Sequence, residues 1–190
     1  MLKGKDNLIK EPQKKKETGT VTKRDILGNR AQFIYIGIGS NLGNRINNIE
    51  LAKYNLYLHG INIIQTSSYY ETLSWPDPRK PKFLNIIISI KSNLTPHNLL
   101  KIFKKIERNL GRKDDLKNSP RECDIDIIDY KKKIIDGKIV IPHKNMHKRN
   151  FVLLPLYEIN KAWTHPVFKM NIKKLIYSLP NKDIRSIKQI

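Results

Sequence analysis

The chain has 190 residues, enough for one compact domain with an extension and cramped for two. Its 37 Lys and Arg against 17 Asp and Glu leave a formal net charge of +20 over 39% hydrophobic residues: a real core under a very polar surface, with no run approaching the roughly 20 apolar residues of a bilayer crossing. The single cysteine, Cys123, excludes an internal disulfide and with it a bridge-stapled secreted scaffold, and points to a reducing cytoplasm.

Residues 1–32 carry Pro12, the run Lys14-Lys15-Lys16 and almost no apolar periodicity, and are expected to be a disordered basic extension. They lack the apolar core of a secretory signal, and Asp6, Glu11, Glu17 and Asp25 disfavour an acid-poor transit peptide. The run Phe33 to Ile38 predicts a buried strand, followed by a loop from Gly39 to Arg45. Ile46, Ile49, Ala52 and Leu56 recur at helical spacing, with Asn44 as N-cap, and the helix is expected to stop at Gly60. Residues 61–70 predict a strand, the three prolines between Ser74 and Pro81 a long loop, and residues 83–90 another strand.

Thr95-Pro96 opens a second helix whose stripe runs through Leu99, Leu100, Phe103, Ile106 and Leu110 to Gly111. Residues 112–118 are polar, residues 122–130 predict a strand, and Asp136-Gly137 predicts a two-residue hairpin turn within residues 134–140. Residues 151–159 and 172–179 are expected to be helical, and residues 181–190 a C-terminal tail. The order strand, helix, strand, strand, helix, strand is the βαββαβ pattern of a ferredoxin-like α+β sandwich, here with an added hairpin and C-terminal helices on a domain of residues 33–180.

The sharpest chemical feature is Asp124-Ile125-Asp126. Alternate residues of a strand share a face, about 6.6 Å apart at Cα, so the two carboxylates can converge on magnesium ions completed by water and phosphate oxygens. A solvated acidic face on an edge strand satisfies the same short pattern. Around it cluster Arg108, Arg112, Lys113, Arg121, Lys138, His143, His147, Lys148 and Arg149. Arginine forks suit phosphate oxygens, yet most lysines of so basic a chain are solvated surface. The charge fits nucleic acid, an anionic membrane, an anionic small substrate or a mere drift toward Lys, Ile and Asn. The glycines at 37, 39 and 43 miss the dinucleotide fingerprint by one position, and no Walker pattern occurs.

Six blocks come in order: Gly39-Ser40-Asn41-Leu42-Gly43-Asn44-Arg45, Ser67-Ser68-x-Tyr70-x-Thr72, Phe83-Leu84-Asn85, Ile106-Glu107-x-x-x-Gly111-Arg112, Pro120-Arg121-x-x-Asp124-Ile125-Asp126-Ile127, and Pro142-His143-x-x-Met146-x-x-Arg149-x-Phe151-x-Leu153-x-Pro155-Leu156. Together they resemble the 6-hydroxymethyl-7,8-dihydropterin pyrophosphokinases of folate biosynthesis over about residues 33–160. The resemblance implies transfer of the β,γ-diphosphate of ATP to the pterin hydroxymethyl group with release of AMP. It also implies two Mg2+ ions on Asp124 and Asp126, and Arg112 and Arg121 steadying the triphosphate. Nucleotide contacts are implied at Glu107, Arg112, Arg121, Ile127, Lys138, His143 and Arg149, and pterin contacts at Thr72, Asn85 and the sandwiching Phe83 and Phe151.

Leu73 stands where the family usually has proline, Ser119-Pro120-Arg121 replaces Gly-Pro-Arg, Asn118 replaces a frequent tryptophan, and the loop after Arg112 is one residue short of a common form. Leu73 and Trp75 are expected beside the pterin, with Trp75 covering it. The expected protein is a cytoplasmic, monomeric, monofunctional enzyme, too short to carry a full dihydropteroate synthase, acting on ATP and the pterin with no nucleic-acid or membrane partner. A basic ferredoxin-like RNA-binding module is the alternative, although no strand carries the aromatic motif such modules use.

Overall fold

Residues 34–40 and 83–90 are apolar at nearly every position, which in a strand requires cover on both faces. The computed structural model, which describes residues 33–75, 77–112 and 119–190, supplies that cover. Strand β1 (Ile34–Ser40) leads to helix α1 (Arg45–Leu58), strands β2 (Ile63–Thr66), β3 (Tyr70–Thr72) and β4 (Phe83–Ile90), and helix α2 (Pro96–Asn109). Strand β5 (Asp124–Tyr130), helices α3 (Asn150–Ile159), α4 (Ile172–Tyr177) and α5 (Asn181–Arg185) and strand β6 (Lys188–Gln189) complete it.

The sheet order is β5-β1-β4-β3-β6, antiparallel throughout, with β2 also paired to β4. Taking β2 and β3 as halves of one strand, this is the ferredoxin-like order expected of βαββαβ. One face carries Ile36, Ile38, Ile86, Ile88, Ile125 and Ile127 against Ile49, Ala52 and Leu56 of α1 and Leu99, Phe103 and Ile106 of α2. The other carries Tyr35, Ile87 and Ile128 against Val152, Leu153 and Leu156 of α3, Leu175 of α4 and Trp163. Each such aliphatic side chain contributes about 1.5–3 kcal/mol by leaving water.

The expected Asn44 cap forms, accepting from the Asn47 N–H at 3.1 Å, and at the expected helix start Thr95 Oγ1 accepts from the Asn98 N–H at 3.3 Å. Elsewhere the structure differs from expectation. Strand β1 runs through Gly39 and Ser40, expected as loop, because both pair with β4. The single strand expected over residues 61–70 is two. Ser67 breaks it by offering Oγ, rather than a backbone oxygen, to the Ile87 N–H at 3.0 Å. The two-residue hairpin at Asp136-Gly137 does not form: Ile135 exchanges both backbone bonds with Ile141, so five residues span the turn.

In β5 the register against β1 shifts, Ile36 facing Ile127 and Tyr35 facing Asp129. This bulge leaves both Ile128 and Asp129 toward the α3 side, where Asp129 accepts from the Trp163 indole N–H at 2.7 Å. Residues 181–190, expected as a tail, form α5 and β6 and add an edge strand to the sheet. The expected extension (1–32) and most of the polar stretch 112–118 lie outside the described residues.

Candidate active site

The cover on the α3 face is incomplete where β1 ends and β4 and β5 begin, leaving a cavity of about 550 Å3. Its floor is shaped by glycine. Gly39 lies opposite Asn85 in β4 and Asp124 in β5, and a Cβ on it would stand 2.9 Å from Asn85 Oδ1 and 3.3 Å from Phe83 Cδ1. The missing methyl lets both side chains lie across the sheet. Asn85 donates to Thr72 Oγ1 at 3.1 Å, so a buried amide from β4 and a buried hydroxyl from β3 are fixed together.

Asp124 and Asp126 project from the same face of β5. Arg112 bridges Asp124 Oδ1 at 2.8 Å and Glu107 Oε2 at 2.9 Å, and Arg121 reaches Asp124 Oδ1 at 3.1 Å. Arg149 lies 3.7 Å and His143 4.0 Å from Asp126 Oδ2. The Asp126 carboxyl is pushed up to about 6, by desolvation first and by its neighbour Asp124 second. Burial opposes the charge of Arg112, but Glu107 and Asp124 outweigh it and its pKa is raised. Burial, reinforced by Arg149, lowers His143 to about 4 and keeps it neutral. The Nε groups of Arg121 and Arg149 are buried with no hydrogen-bond partner among the described residues, the kind of donor that a ligand oxygen completes.

Asn41 holds this arrangement in place. Its backbone N–H donates to the Arg121 carbonyl at 3.1 Å, its Oδ1 accepts the Arg121 N–H at 2.8 Å, and its Nδ2 donates to the Pro81 carbonyl at 3.1 Å. One buried side chain thus ties the segments before β4 and β5 to the end of β1. Trp75 stands at the rim, half exposed, its ring 5.1 Å from the Arg149 guanidinium, with Phe151 5.5 Å from the same group.

Of the residues expected at the site, the structure brings Thr72, Leu73, Trp75, Phe83, Asn85 and Phe151 to this cavity, and with them Arg112, Arg121, Asp124, Asp126, His143 and Arg149. Three expected nucleotide contacts are not on its lining. Glu107 is 0% exposed and accepts from the Ile125 N–H at 2.8 Å behind Arg112. Ile127 faces the opposite layer, as strand alternation dictates, and Lys138 is exposed on the turn after β5. The residues that sequence reasoning missed are Gly39, Asn41 and Lys104, the last reaching Glu107 Oε2 at 2.8 Å. The first two lie in the Gly-Ser-Asn block, which was legible as a motif but not as floor and staple. Cys123, beside Asp124, is fully buried, its thiol pushed up by burial, and fills core.

The family model for 7,8-dihydro-6-hydroxymethylpterin-pyrophosphokinase (HPPK) matches residues 35–161. A 2-amino-4-hydroxy-6-hydroxymethyldihydropteridine pyrophosphokinase of Aquifex aeolicus is 38% identical over 142 residues, covering 74% of this chain and 88% of the relative. The folic acid synthesis protein fol1 of Pneumocystis carinii is 36% identical over 157 residues, and there the chain spans only 21% of the relative. The wild-type Plasmodium falciparum HPPK-DHPS crystal structure superposes with a TM-score of 0.63 at 16% identity, over 83% of this chain and 44% of that one, a likeness of fold.

Proposed function

The chain belongs to the 7,8-dihydro-6-hydroxymethylpterin-pyrophosphokinase family, and from that premise we propose that it transfers the β,γ-diphosphate of ATP to the hydroxymethyl oxygen of 6-hydroxymethyl-7,8-dihydropterin and releases AMP. The observation that carries the reading is the joining of two unlike halves in one cavity: a carboxylate pair with three arginines, and an amide-hydroxyl pair with two phenylalanines on the same lining. The first suits a triphosphate. The second suits a flat heterocycle with hydrogen-bonding edges.

The donor set fits hard divalent cations. Asp124 and Asp126 offer only oxygen, and Asp126 is held against repulsion from Asp124 that a cation would relieve. Among the described residues no third His, Cys, Asp or Glu joins them into a metal cluster, as expected where water and phosphate oxygens complete the shell. Magnesium bound there supplies charge neutralisation on the phosphate oxygens. Arg112 and Arg121, already turned to Asp124, orient the triphosphate, and the unpartnered Nε–H groups of Arg121 and Arg149 donate to its oxygens. Phe83 and Phe151 hold the ring while Asn85 and Thr72 fix its polar edge, which aims the hydroxymethyl oxygen at the β-phosphorus. The new bond forms there, the bridge oxygen between α- and β-phosphorus leaves with AMP, and the hydroxyl proton passes to solvent. Positioning and charge stabilisation are the main demands of such a transfer. The proposal includes two magnesium ions, a monomeric chain and a cytoplasmic location.

The test is product identity. ATP, the pterin and magnesium together are expected to yield AMP, with none formed when the pterin or magnesium is omitted; ADP as product would overturn the reading. Asp124→Ala and Asp126→Ala are each expected to lower kcat by at least about 100-fold, the scale of losing one electrostatic stabiliser of a transition state. Robust turnover in both would refute the cation assignment.

A further inference from the structure

Helix α5 and strand β6 bury little: none of the α5 residues is buried, and both β6 residues are exposed. Apart from Ile184, which packs partly buried against the α3-side core, their order rests on polar contacts, and these fall on two places. Asn150, 8% exposed and first in α3, donates through Nδ2 to the Asp183 carbonyl and to Ser186 Oγ at 3.4 Å, while its Oδ1 accepts the Phe151 N–H at 2.7 Å. It stands between Arg149 and Phe151, both on the cavity wall.

The other end of the segment lies along β3. Tyr70 pairs with Gln189 and Glu71 with Lys188, the Ile190 N–H donates to the Tyr69 carbonyl at 2.9 Å, and Gln189 Nε2 donates to Ser68 Oγ at 2.9 Å. Strand β3 has only three residues, and its last, Thr72, accepts from Asn85. A strand this short gains much of its definition from the neighbour on its second edge.

We propose that residues 181–190 form a strap that positions the two walls of the pterin pocket, with Asn150 as its anchor on the Phe151 wall and β6 as its hold on the Thr72 wall. The inference rests on the pterin pocket of the proposed function. Asn150 is a positioning residue, acting through Phe151, and β6 acts through Thr72 and Asn85. The Asn150 side chain bonds the Phe151 N–H, whereas Arg149, on the same wall, is held by its own approach to Asp126 at 3.7 Å, so loosening the strap weakens the hold on the pterin more than the hold on ATP.

Asn150→Ala and Ile190→Pro test the two ends. The proline removes the N–H given to Tyr69, and Ile190→Ala, which keeps it, is the control. Pterin affinity is read by fluorescence titration and as KM, ATP KM and kcat by AMP formation. Asn150→Ala and Ile190→Pro are expected to raise pterin KM about five- to tenfold, the order of one lost hydrogen bond at a buried partner, with ATP KM and kcat within about twofold and Ile190→Ala as wild type. Pterin and ATP KM rising together, or pterin affinity unchanged in both variants, would overturn the strap. A wild-type chain that binds the pterin but makes no AMP would overturn the proposed reaction instead, leaving the strap to be decided on binding alone.

Discussion

At Gly39 one absent methyl group decides what the cavity floor can hold. Gly39→Ala puts a Cβ 2.9 Å from Asn85 Oδ1, closer than real contacts allow, so Asn85 must swing away and release Thr72. Weakening of pterin binding by about tenfold or more is expected, since small misplacements of a positioning group are costly, with ATP KM little changed. Titration of the variant with each substrate checks it, and unchanged pterin affinity would remove Gly39 from the argument. This role was not legible in the sequence. The glycine spacing invited comparison with a nucleotide-binding loop, whereas the constraint comes from a cross-strand neighbour 46 positions away. The carboxylate pair was legible, because strand alternation is local and Asp124 and Asp126 carry it unaided.

Secondary elements were readable where their signals are local. Thr95 with Pro96, and Asn44, mark helix starts by signals that need nothing distant: the Asn44 cap forms as expected, and the Thr95 side chain caps the helix that starts there. Thr95→Ala is expected to lower stability by about 1 kcal/mol. Chemical denaturation measures this, and AMP turnover at low temperature should persist because α2 meets the cavity only through its far end. Elements failed to read where a competing partner intervened. Ser67 and Ile87 break the second strand through a side-chain bond 20 residues apart, and the Ile135–Ile141 exchange overrides the Asp136-Gly137 turn signal. The composition of α5 and β6 is polar and unpatterned, so only pairing with β3 reveals them.

For the whole molecule, the continuous apolar runs of β1 and β4 announced cover on both faces, and the order of elements then fixed the sheet. Of the +20 net charge, Arg112, Arg121, Arg149 and Lys104 line the cavity, whereas Lys138 is exposed on a turn away from it. Global stability should depend on pH through His165. Its ring is 2% exposed, stacks on Phe168 at 4.4 Å, and accepts at Nδ1 from the Val167 and Phe168 N–H groups at 3.2 and 3.3 Å. Burial, with His147 and Lys132 nearby, lowers its pKa from 6.5 to about 4. The unfolded chain binds the proton first, so stability is full above pH 6.5 and falls toward pH 4. His143 adds in the same sense; Asp126, raised to about 6, opposes over the lower part of that window. Melting temperatures against pH are expected to fall less steeply in His165→Gln, and parallel curves would refute the assignment.

Glu107 has a consequence beyond holding Arg112. Strand β5 borders the sheet, and its outward amides and carbonyls could template another chain. The Glu107 carboxylate accepts from the Ile125 N–H at 2.8 Å, and the His143 N–H donates to the Ile128 carbonyl at 2.9 Å, so at both points the border is closed from within. The same bonds that shape the carboxylate half of the cavity therefore guard the chain against edge-to-edge aggregation, and a mutation that loosens the site there also uncovers a sticky border.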